Sequence, residues 1–272
     1  QRIERARAHR HAIFQIWTEF SSKQPNTLIG QVYGSNGEGH FIAVIPYPLP
    51  SILSLELGEM LYQLRAALDG SIYASNVLEC GQDPPPDDDR LEFPIFDRQT
   101  QWDELKNPKR NKLGILGNKR KTFIESVQPY KTPVSMPDEI RVNDAGRILG
   151  ILNNWARMDR HRRLHVVNLY ATSGHIELDP PEGLEVISIE PFTETGVVKK
   201  GEILLGRFVI SGLSEIPKDF ELPYEAGLTI TIGVDEAPLA KLTDFDTFSY
   251  RISHMIEVVE YIVRRLENVC VS

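Results

Sequence analysis

Two clusters of polar side chains in apolar helical stretches are the first candidates for chemistry. In the first cluster, Arg65 and Asp69 lie four residues apart within LGEMLYQLRAALDG (57–70). This spacing places both on one helical face, where they either pair with each other or address a polar partner together. An arginine that borders a core needs partners when it is buried. Arg65 and Asp69 are therefore candidate catalytic residues, with a structural salt bridge as the alternative.

The second cluster lies in MDRHRRLH (158–165), where Asp159, His161 and Arg162 form a candidate catalytic group. His161 can act as a general acid or base near neutral pH. His161 and His165 share a helical face, as two zinc ligands would, but the glutamate of an HExxH motif is absent and cations flank the pair. We therefore predict no metal and no cofactor. The alternative is a helix start capped by Asp159, with the other residues on the surface.

A basic tract, KNPKRNKLGILGNKRK (106–121), contains seven lysine and arginine residues and no acid. Such a tract is usually a solvated face, but it could also bind RNA or another phosphate-bearing ligand. The formal net charge of −8 predicts repulsion of nucleic acid at long range. The candidate nucleic-acid-binding residues are Lys109, Arg110, Lys112, Lys119, Arg120 and Lys121.

The composition is that of an ordinary folded protein. With 272 residues, 41% of them hydrophobic and 25% charged, the chain is long enough for one large or two small domains, and wholesale disorder is excluded. No apolar run approaches the roughly 18 residues of a membrane span. The charged N-terminus does not resemble a secretory signal. Two cysteines are too few for a disulfide framework, which favours a cytoplasmic location.

The periodicity of apolar residues predicts an α+β protein. We expect a helical bundle-like part with an N-terminal β-hairpin at residues 1–173, followed at 174–272 by an antiparallel sheet closed by a long helix. The two parts are expected to pack as one unit. Helices are predicted at 1–20, from Ser51 or Ser54 to Glu79, near 100–107 and 117–127, at 137–170 with a break near Met158, and from Thr243 or Asp244 to Asn268. Strands are predicted at 27–34 and 40–47, around the Asn36-Gly37 turn signal, and at 175–179, 184–192, 202–211 and 228–234.

Four motifs together resemble a widespread family of uncharacterised bacterial proteins. They are LGEMLYQLRAALDG, FPIF, IESVQPY and MDRHRRL, and the similarity covers roughly residues 1–170. Members of that family typically carry G-D-x-L-H-N-L-R-S-A-L-D-H, F-P-I, I-x-x-L-Q-P-Y and D-K-H-R-x-L. Asp159, His161 and Arg162 match D-K-H-R, with Arg160 in place of its lysine. The family brings no established activity to this chain.

The family's R-S-A-L-D-H string is similar to the Arg-x4-His signature of HEPN domains, many of which are dimeric, metal-independent ribonucleases. In those enzymes the arginine binds the scissile phosphate and the histidine assists proton transfer. The resemblance places Arg65 at the arginine position and Asp69 at the family's aspartate. Gly70 occupies the histidine position, so the acid/base group is missing.

The resemblance implies one of two functions. The favoured one is a catalytically silent, HEPN-like interaction or sensor module of a bacterial defence or toxin-related system. The alternative is a metal-independent ribonuclease that uses Arg65 and His161. Both require the two polar clusters to lie close together. The apolar stripes of the first and last long helices further predict a homodimer.

Overall fold

The fold is taken from a computed structural model. It describes residues 1–23, 27–32, 37–44, 49–131, 145–161, 167–172, 176–178, 183–191, 196–197, 202–212, 224–226, 229–234 and 248–268. The helices in this part of the chain are α1 (Arg2–Lys23), α2 (Ile52–Cys80), α3 (Gln99–Asp103), α4 (Asn118–Ser126), α5 (Ala145–His161) and α6 (Phe248–Asn268). The strands are β1 (Thr27–Val32), β2 (Glu38–Val44), β3 (Val167–Thr172), β4 (Ile176–Leu178), β5 (Glu185–Pro191), β6 (Gly196–Val197), β7 (Glu202–Ser211), β8 (Tyr224–Ala226) and β9 (Thr229–Val234).

The chain forms two compact units, each built from separated segments. The first consists of Gln1–Phe14, Ser54–His165 and Ser249–Ser272, and the second of Gln15–Leu53 and Val166–Phe248. The mixed α+β class predicted from the sequence is confirmed. Each unit combines segments from both sides of residue 173, and the sequence-based division at that residue stays a prediction.

Helices supply the core of the first unit. The apolar face of α2 is fully buried, as the 3.6-residue spacing of its leucines predicts. A second buried stripe runs along α6, and a third along α5. These stripes comprise Leu57, Met60, Leu61, Leu64, Leu68 and Ile72 on α2, Ile148, Leu149, Leu152 and Trp155 on α5, and Ile252, Met255, Ile256, Val259, Ile262 and Leu266 on α6.

Polar pairs attach the first half of α1 to two other helices. Arg2 Nη1 donates to Gln63 Oε1 on α2 at 3.0 Å, and His9 Nδ1 lies 2.7 Å from Glu56 Oε2 on the same helix. Arg7 Nη2 donates to Glu260 Oε2 on α6 at 2.5 Å. Since α1 buries only Ala6 and Ile13 completely, these pairs contribute much of its attachment.

The predicted N-terminal hairpin is confirmed, and it belongs to a larger sheet. Strands β1 and β2 pair antiparallel, β2 also pairs with β7, and β7 pairs with β5, which gives the order β1-β2-β7-β5. Phe41 on β2 packs against Phe208 on β7 with ring centroids 4.5 Å apart. The hairpin therefore shares a sheet with strands from the last third of the chain. Elsewhere in the second unit, β3 lies between β6 and β9, and β4 pairs with β8.

The predicted helix at 137–170 is wrong at its C-terminal end. α5 continues through Met158 without a break to His161, and residues 167–172 form β3, which pairs antiparallel with β9. In VNLYAT the apolar Val167 and Leu169 alternate with Asn168, so this stretch also satisfies the two-residue period of a strand. Because these residues pair with β9, they form a strand rather than the helix that their apolar spacing also allows. Residues 137–144 of the predicted helix lie outside the described residues.

Candidate functional site

Arg65 lies on the buried face of α2 and is held by three acceptors. Its Nη2 donates to Asp69 Oδ1 at 3.4 Å, to Glu92 Oε1 at 3.3 Å and to the backbone carbonyl of Phe93 at 3.2 Å. The residue is 9% exposed, and its Nη1 is shielded from solvent without an acceptor. The Nη2 group of the Arg65 guanidinium is therefore already bound by protein acceptors.

Asp69 completes this arrangement one helical turn further along α2. Its Oδ1 accepts the backbone N–H of Phe93 at 3.0 Å, while Arg65 takes the carbonyl of the same residue. Phe93 is completely buried, so both of its backbone polar groups need partners inside the protein. The two side chains therefore act as a clamp on one peptide segment.

Gln128 holds the next residues of that segment. Its Nε2 donates to the carbonyls of Pro94 at 2.9 Å and Ile124 at 3.0 Å, and its Oε1 accepts the N–H of Phe96 at 2.9 Å. The side chain is fully buried. Residues 93–96 belong to neither a helix nor a strand, and these side chains bind their backbone groups in place of a neighbouring strand.

Three of the four motifs noted in the sequence thus form one network. Arg65 and Asp69 of LRAALD, the FPIF segment and Gln128 of QPY bind one another through the hydrogen bonds above. We name this group the FPIF clamp: Arg65, Asp69, Gln128 and the backbone of 93–96. Sequence reasoning had not singled out Gln128 or Glu92 as interacting residues. Gln128 carries no local sequence signal for such a contact, because its partners in the FPIF segment are 32 and 34 residues away.

Burial dominates the electrostatics of Asp69. Desolvation raises the pKa of its carboxyl above the ordinary value of 3.8, and nearby Glu92 raises it further. The Arg65 guanidinium, the Phe93 N–H and Lys112 act in the opposite direction without cancelling the effect of burial. Since the pKa of Asp69 is raised although this carboxyl pairs with an arginine, the group is partly withdrawn from water.

Gly70 follows directly after Asp69 and is exposed. A Cβ built at this position would meet no atom within 4 Å. The position that carries histidine in the resembled family therefore opens onto empty space here, with no side chain to move a proton.

The second polar cluster is only partly covered by the structure. Asp159 and His161 belong to the last turn of α5. Their side chains and the whole of Arg162 lie outside the described part of the chain. The proximity of this cluster to Arg65 stays a prediction.

The basic tract is largely neutralised by acids from other segments. Lys106 Nζ pairs with Asp103 at 2.8 Å, Lys112 Nζ pairs with Glu92 at 2.7 Å, and Arg110 pairs with Glu104. Lys109 and Lys119 are exposed and Lys121 is half-buried. Among the described side chains, these three lysines have no ion-pair partner.

Arg120 is a buried structural residue. It is 4% exposed, its Nη1 binds Glu79 on α2, and its Nε donates to the carbonyl of Leu266 on α6 at 3.3 Å. Glu79 Oε2 also accepts the N–H of Gly117 at 2.6 Å. The prediction that Arg120 presents its charge to a nucleic acid does not fit this placement, because burial withdraws the guanidinium from any extended surface.

Beside the FPIF clamp lies a cleft of about 460 Å³. Its walls carry the basic side chains of Arg90, Lys109, Arg110 and Lys112, with Phe96 and Leu105 as apolar contributors. Three acidic side chains, Asp89, Glu92 and Glu104, also line it. The cleft is therefore mixed in charge rather than uniformly basic.

Comparison with known proteins adds no relative. No family model, curated protein or solved structure matches this chain. In the described part of the chain, no three histidine, cysteine or acidic residues cluster in a way that could hold a metal ion. None of the described helices is long and apolar enough to cross a membrane.

Proposed function

We propose that this protein is a HEPN-like interaction or sensor module of a bacterial system and that it does not cleave RNA. The observation that carries this proposal is the engagement of Arg65. The residue that the resemblance assigns to a scissile phosphate donates instead to Asp69, Glu92 and the Phe93 carbonyl. A phosphate would have to displace these acceptors, two of which are carboxylates.

The exposed Gly70 supports the same proposal. General acid–base catalysis requires a group within hydrogen-bond reach of the proton, and glycine offers none. In this proposal Arg65 and Asp69 have a structural role, and the proton-transfer group of the HEPN signature is absent. The partner we propose is a phosphate-bearing ligand, since Lys109, Lys119 and Lys121 remain uncompensated among the described side chains.

A cleavage assay tests the absence of ribonuclease activity. Labelled RNA is incubated in EDTA with the native protein, with Gly70→His and with Gly70→Ala as the matched control. We expect no cleavage above the buffer rate in any sample, because Arg65 is engaged by protein acceptors. Cleavage by the native protein would overturn the proposal. Cleavage by Gly70→His alone, about 10²–10⁴-fold above the native rate as one added acid–base group supplies, would show that Arg65 can reach a phosphate. It would contradict the argument from the engagement of Arg65 and leave the missing histidine as the reason why the native protein is silent.

The homodimer remains part of the proposal. The apolar stripe of α6 is buried within the chain and so cannot serve a second copy. A twin would have to contact other apolar side chains, such as Leu78 at 63% exposure and Tyr62 at 59%. Light scattering that returns the 30.9 kDa mass of one chain at micromolar concentration would contradict this part of the proposal.

A further inference from the structure

The cleft beside the FPIF clamp has the size of a small-molecule site. Its volume of about 460 Å³ falls within the range of sites that hold small ligands. Phe96 and Leu105, both half-buried, give it apolar wall, and polar side chains surround them. All of its lining residues belong to the first unit, between residues 89 and 112.

Two of the four cations in the cleft are available to a ligand. Lys112 is paired with Glu92 at 2.7 Å, and Arg110 is paired with Glu104. Arg90 meets only Asp87, at 4.0 Å between exposed side chains. Lys109 is exposed and has no ion-pair partner among the described side chains. Two weakly engaged positive charges match the charge of one phosphate monoester.

The acids in the cleft limit what else can bind. Because the lining has four cations against three acids, its small net positive charge suits a single phosphate better than a polyphosphate or a long phosphodiester chain. The same carboxylates can accept hydrogen bonds from hydroxyl or amino groups. A ligand that suits this lining therefore has one anionic end, a flat apolar body and several hydrogen-bond donors.

We infer that the cleft binds a nucleoside monophosphate. The phosphate is held by Arg90 and Lys109, the base lies against Phe96, and the ribose or amino donors face the carboxylates. This inference rests on the proposed function, since it names the ligand class of a sensor module.

Glu92 connects the cleft to the FPIF clamp. Its Oε2 accepts from Lys112, which lines the cleft, and its Oε1 accepts from Arg65. A hydroxyl or amino group of the ligand that donates to Glu92 would compete with Lys112 for this carboxylate. Occupancy of the cleft is thereby coupled to the network around Phe93.

Calorimetric titration of the full chain with adenosine monophosphate tests the inference, with adenosine, inorganic phosphate and a single-stranded RNA oligonucleotide as the other probes. We expect the monophosphate to bind at least ~10-fold more tightly than adenosine or phosphate alone, because only the monophosphate uses both the charged and the apolar walls. Arg90→Gln and Lys109→Gln should each weaken binding by about 10-fold, as loss of a charge-assisted bond does. Lys106→Gln removes an equal charge from the same tract, at an exposed position outside the cleft lining, and should leave the affinity unchanged.

Several results would overturn the inference. They are the absence of monophosphate binding up to about 5 mM, an equal loss in Lys106→Gln and Lys109→Gln, and binding of RNA without binding of the monophosphate. Circular dichroism of each variant identifies a loss caused by unfolding, and the exposed positions of Arg90, Lys106 and Lys109 make such a loss unexpected. The RNA sample is also analysed for cleavage. Cleaved RNA contradicts the proposed function, whereas intact RNA with no monophosphate binding contradicts only the inference.

Discussion

The carboxylate of Asp69 accepts the backbone N–H of Phe93 at 3.0 Å, across 24 residues of sequence. Arg65, one helical turn earlier, donates to the carbonyl of the same residue at 3.2 Å. Two side chains on α2 thus satisfy both backbone polar groups of Phe93, in a buried segment outside any helix or strand. An i,i+4 arginine–aspartate pair usually stabilises only its own helix. Here the pair also attaches the backbone of Phe93 to α2.

Truncating the pair should therefore destabilise the fold. We expect Arg65→Ala and Asp69→Ala each to lower the free energy of unfolding by about 1–3 kcal/mol, because each leaves a buried Phe93 backbone group without a partner. The double variant should lose less than the sum, with a coupling of about 0.5–3 kcal/mol. Urea unfolding of the four proteins provides the cycle. Asp103→Ala, which breaks the exposed pair with Lys106, should change stability by less than about 1 kcal/mol; an equal effect there would contradict the clamp.

The titration of Asp69 provides a second prediction. Its pKa should lie above 3.8, since burial outweighs the favourable contacts of the charged form. The folded protein then binds the proton more tightly than the unfolded chain does. Asp69 therefore contributes stability when it is protonated, and this contribution is lost as the pH rises from the unfolded value through the folded pKa. Carboxyl carbon chemical shifts followed by NMR between acid and neutral pH measure the midpoint.

Two neighbours of Asp69 should move that midpoint in opposite directions. Glu92→Gln removes a negative charge that raises the pKa, so the midpoint should fall. Lys112→Met removes a positive charge that lowers it, so the midpoint should rise. A midpoint at or below the ordinary aspartate value in the native protein would show that the Arg65 contact, rather than burial, governs this carboxylate.

The contrast between Arg120 and Lys119 supplies a third prediction. Arg120→Met removes the buried guanidinium that binds Glu79 and the carbonyl of Leu266, and it should lower the free energy of unfolding by about 1–3 kcal/mol. Lys119→Gln, at an exposed neighbouring position, should stay within about 0.5 kcal/mol of the native value. Thermal or urea unfolding compares the two. Similar stabilities for the two variants would mean that Arg120 is a surface residue after all.

Much of the fold could be predicted from periodic apolar residues. The leucines of α2 and the isoleucines and valines of α6 repeat at helical spacing over roughly three or more turns, which predicts a buried helical face for each helix. The strands that contain Ile42 and Phe208 could be predicted equally well from their apolar patterns. The segment at 167–172 was predicted wrongly because its residues fit either period and the deciding partner, β9, lies some 60 residues further along.

The contacts of the candidate site could not be predicted from the sequence in the same way. Arg65 and Asp69 were visible as a pair, but nothing near them in sequence indicated that their partner would be the backbone of Phe93. The basic tract looked uncompensated because Glu79 and Glu92, which pair with Arg120 and Lys112, come from earlier segments of the chain. Long-range pairing of charges is decided by tertiary packing, which single-sequence patterns do not encode.

The last prediction compares two glycines with opposite surroundings. Gly70 lies within α2, is exposed, and has open space where a Cβ would lie. Gly70→Ala should therefore raise the free energy of unfolding by up to about 1 kcal/mol, since glycine is the poorer helix former. Gly114 has a φ of +58°, and a Cβ there would lie 2.3 Å from Asn76 Oδ1. Asn76 is fully buried and accepts the N–H of Ile115 at 2.8 Å, so this neighbour has no room to move away.

Gly114→Ala should consequently lower the free energy of unfolding by about 2–4 kcal/mol, through left-handed backbone strain together with the disturbed Asn76 contact. Urea unfolding of both variants beside the native protein measures the two signs in one experiment. A loss of stability in Gly70→Ala would mean that position 70 faces something other than solvent, such as a second copy of the chain. Light scattering of the same samples would then show whether the native protein, but not the variant, has twice the mass of one chain.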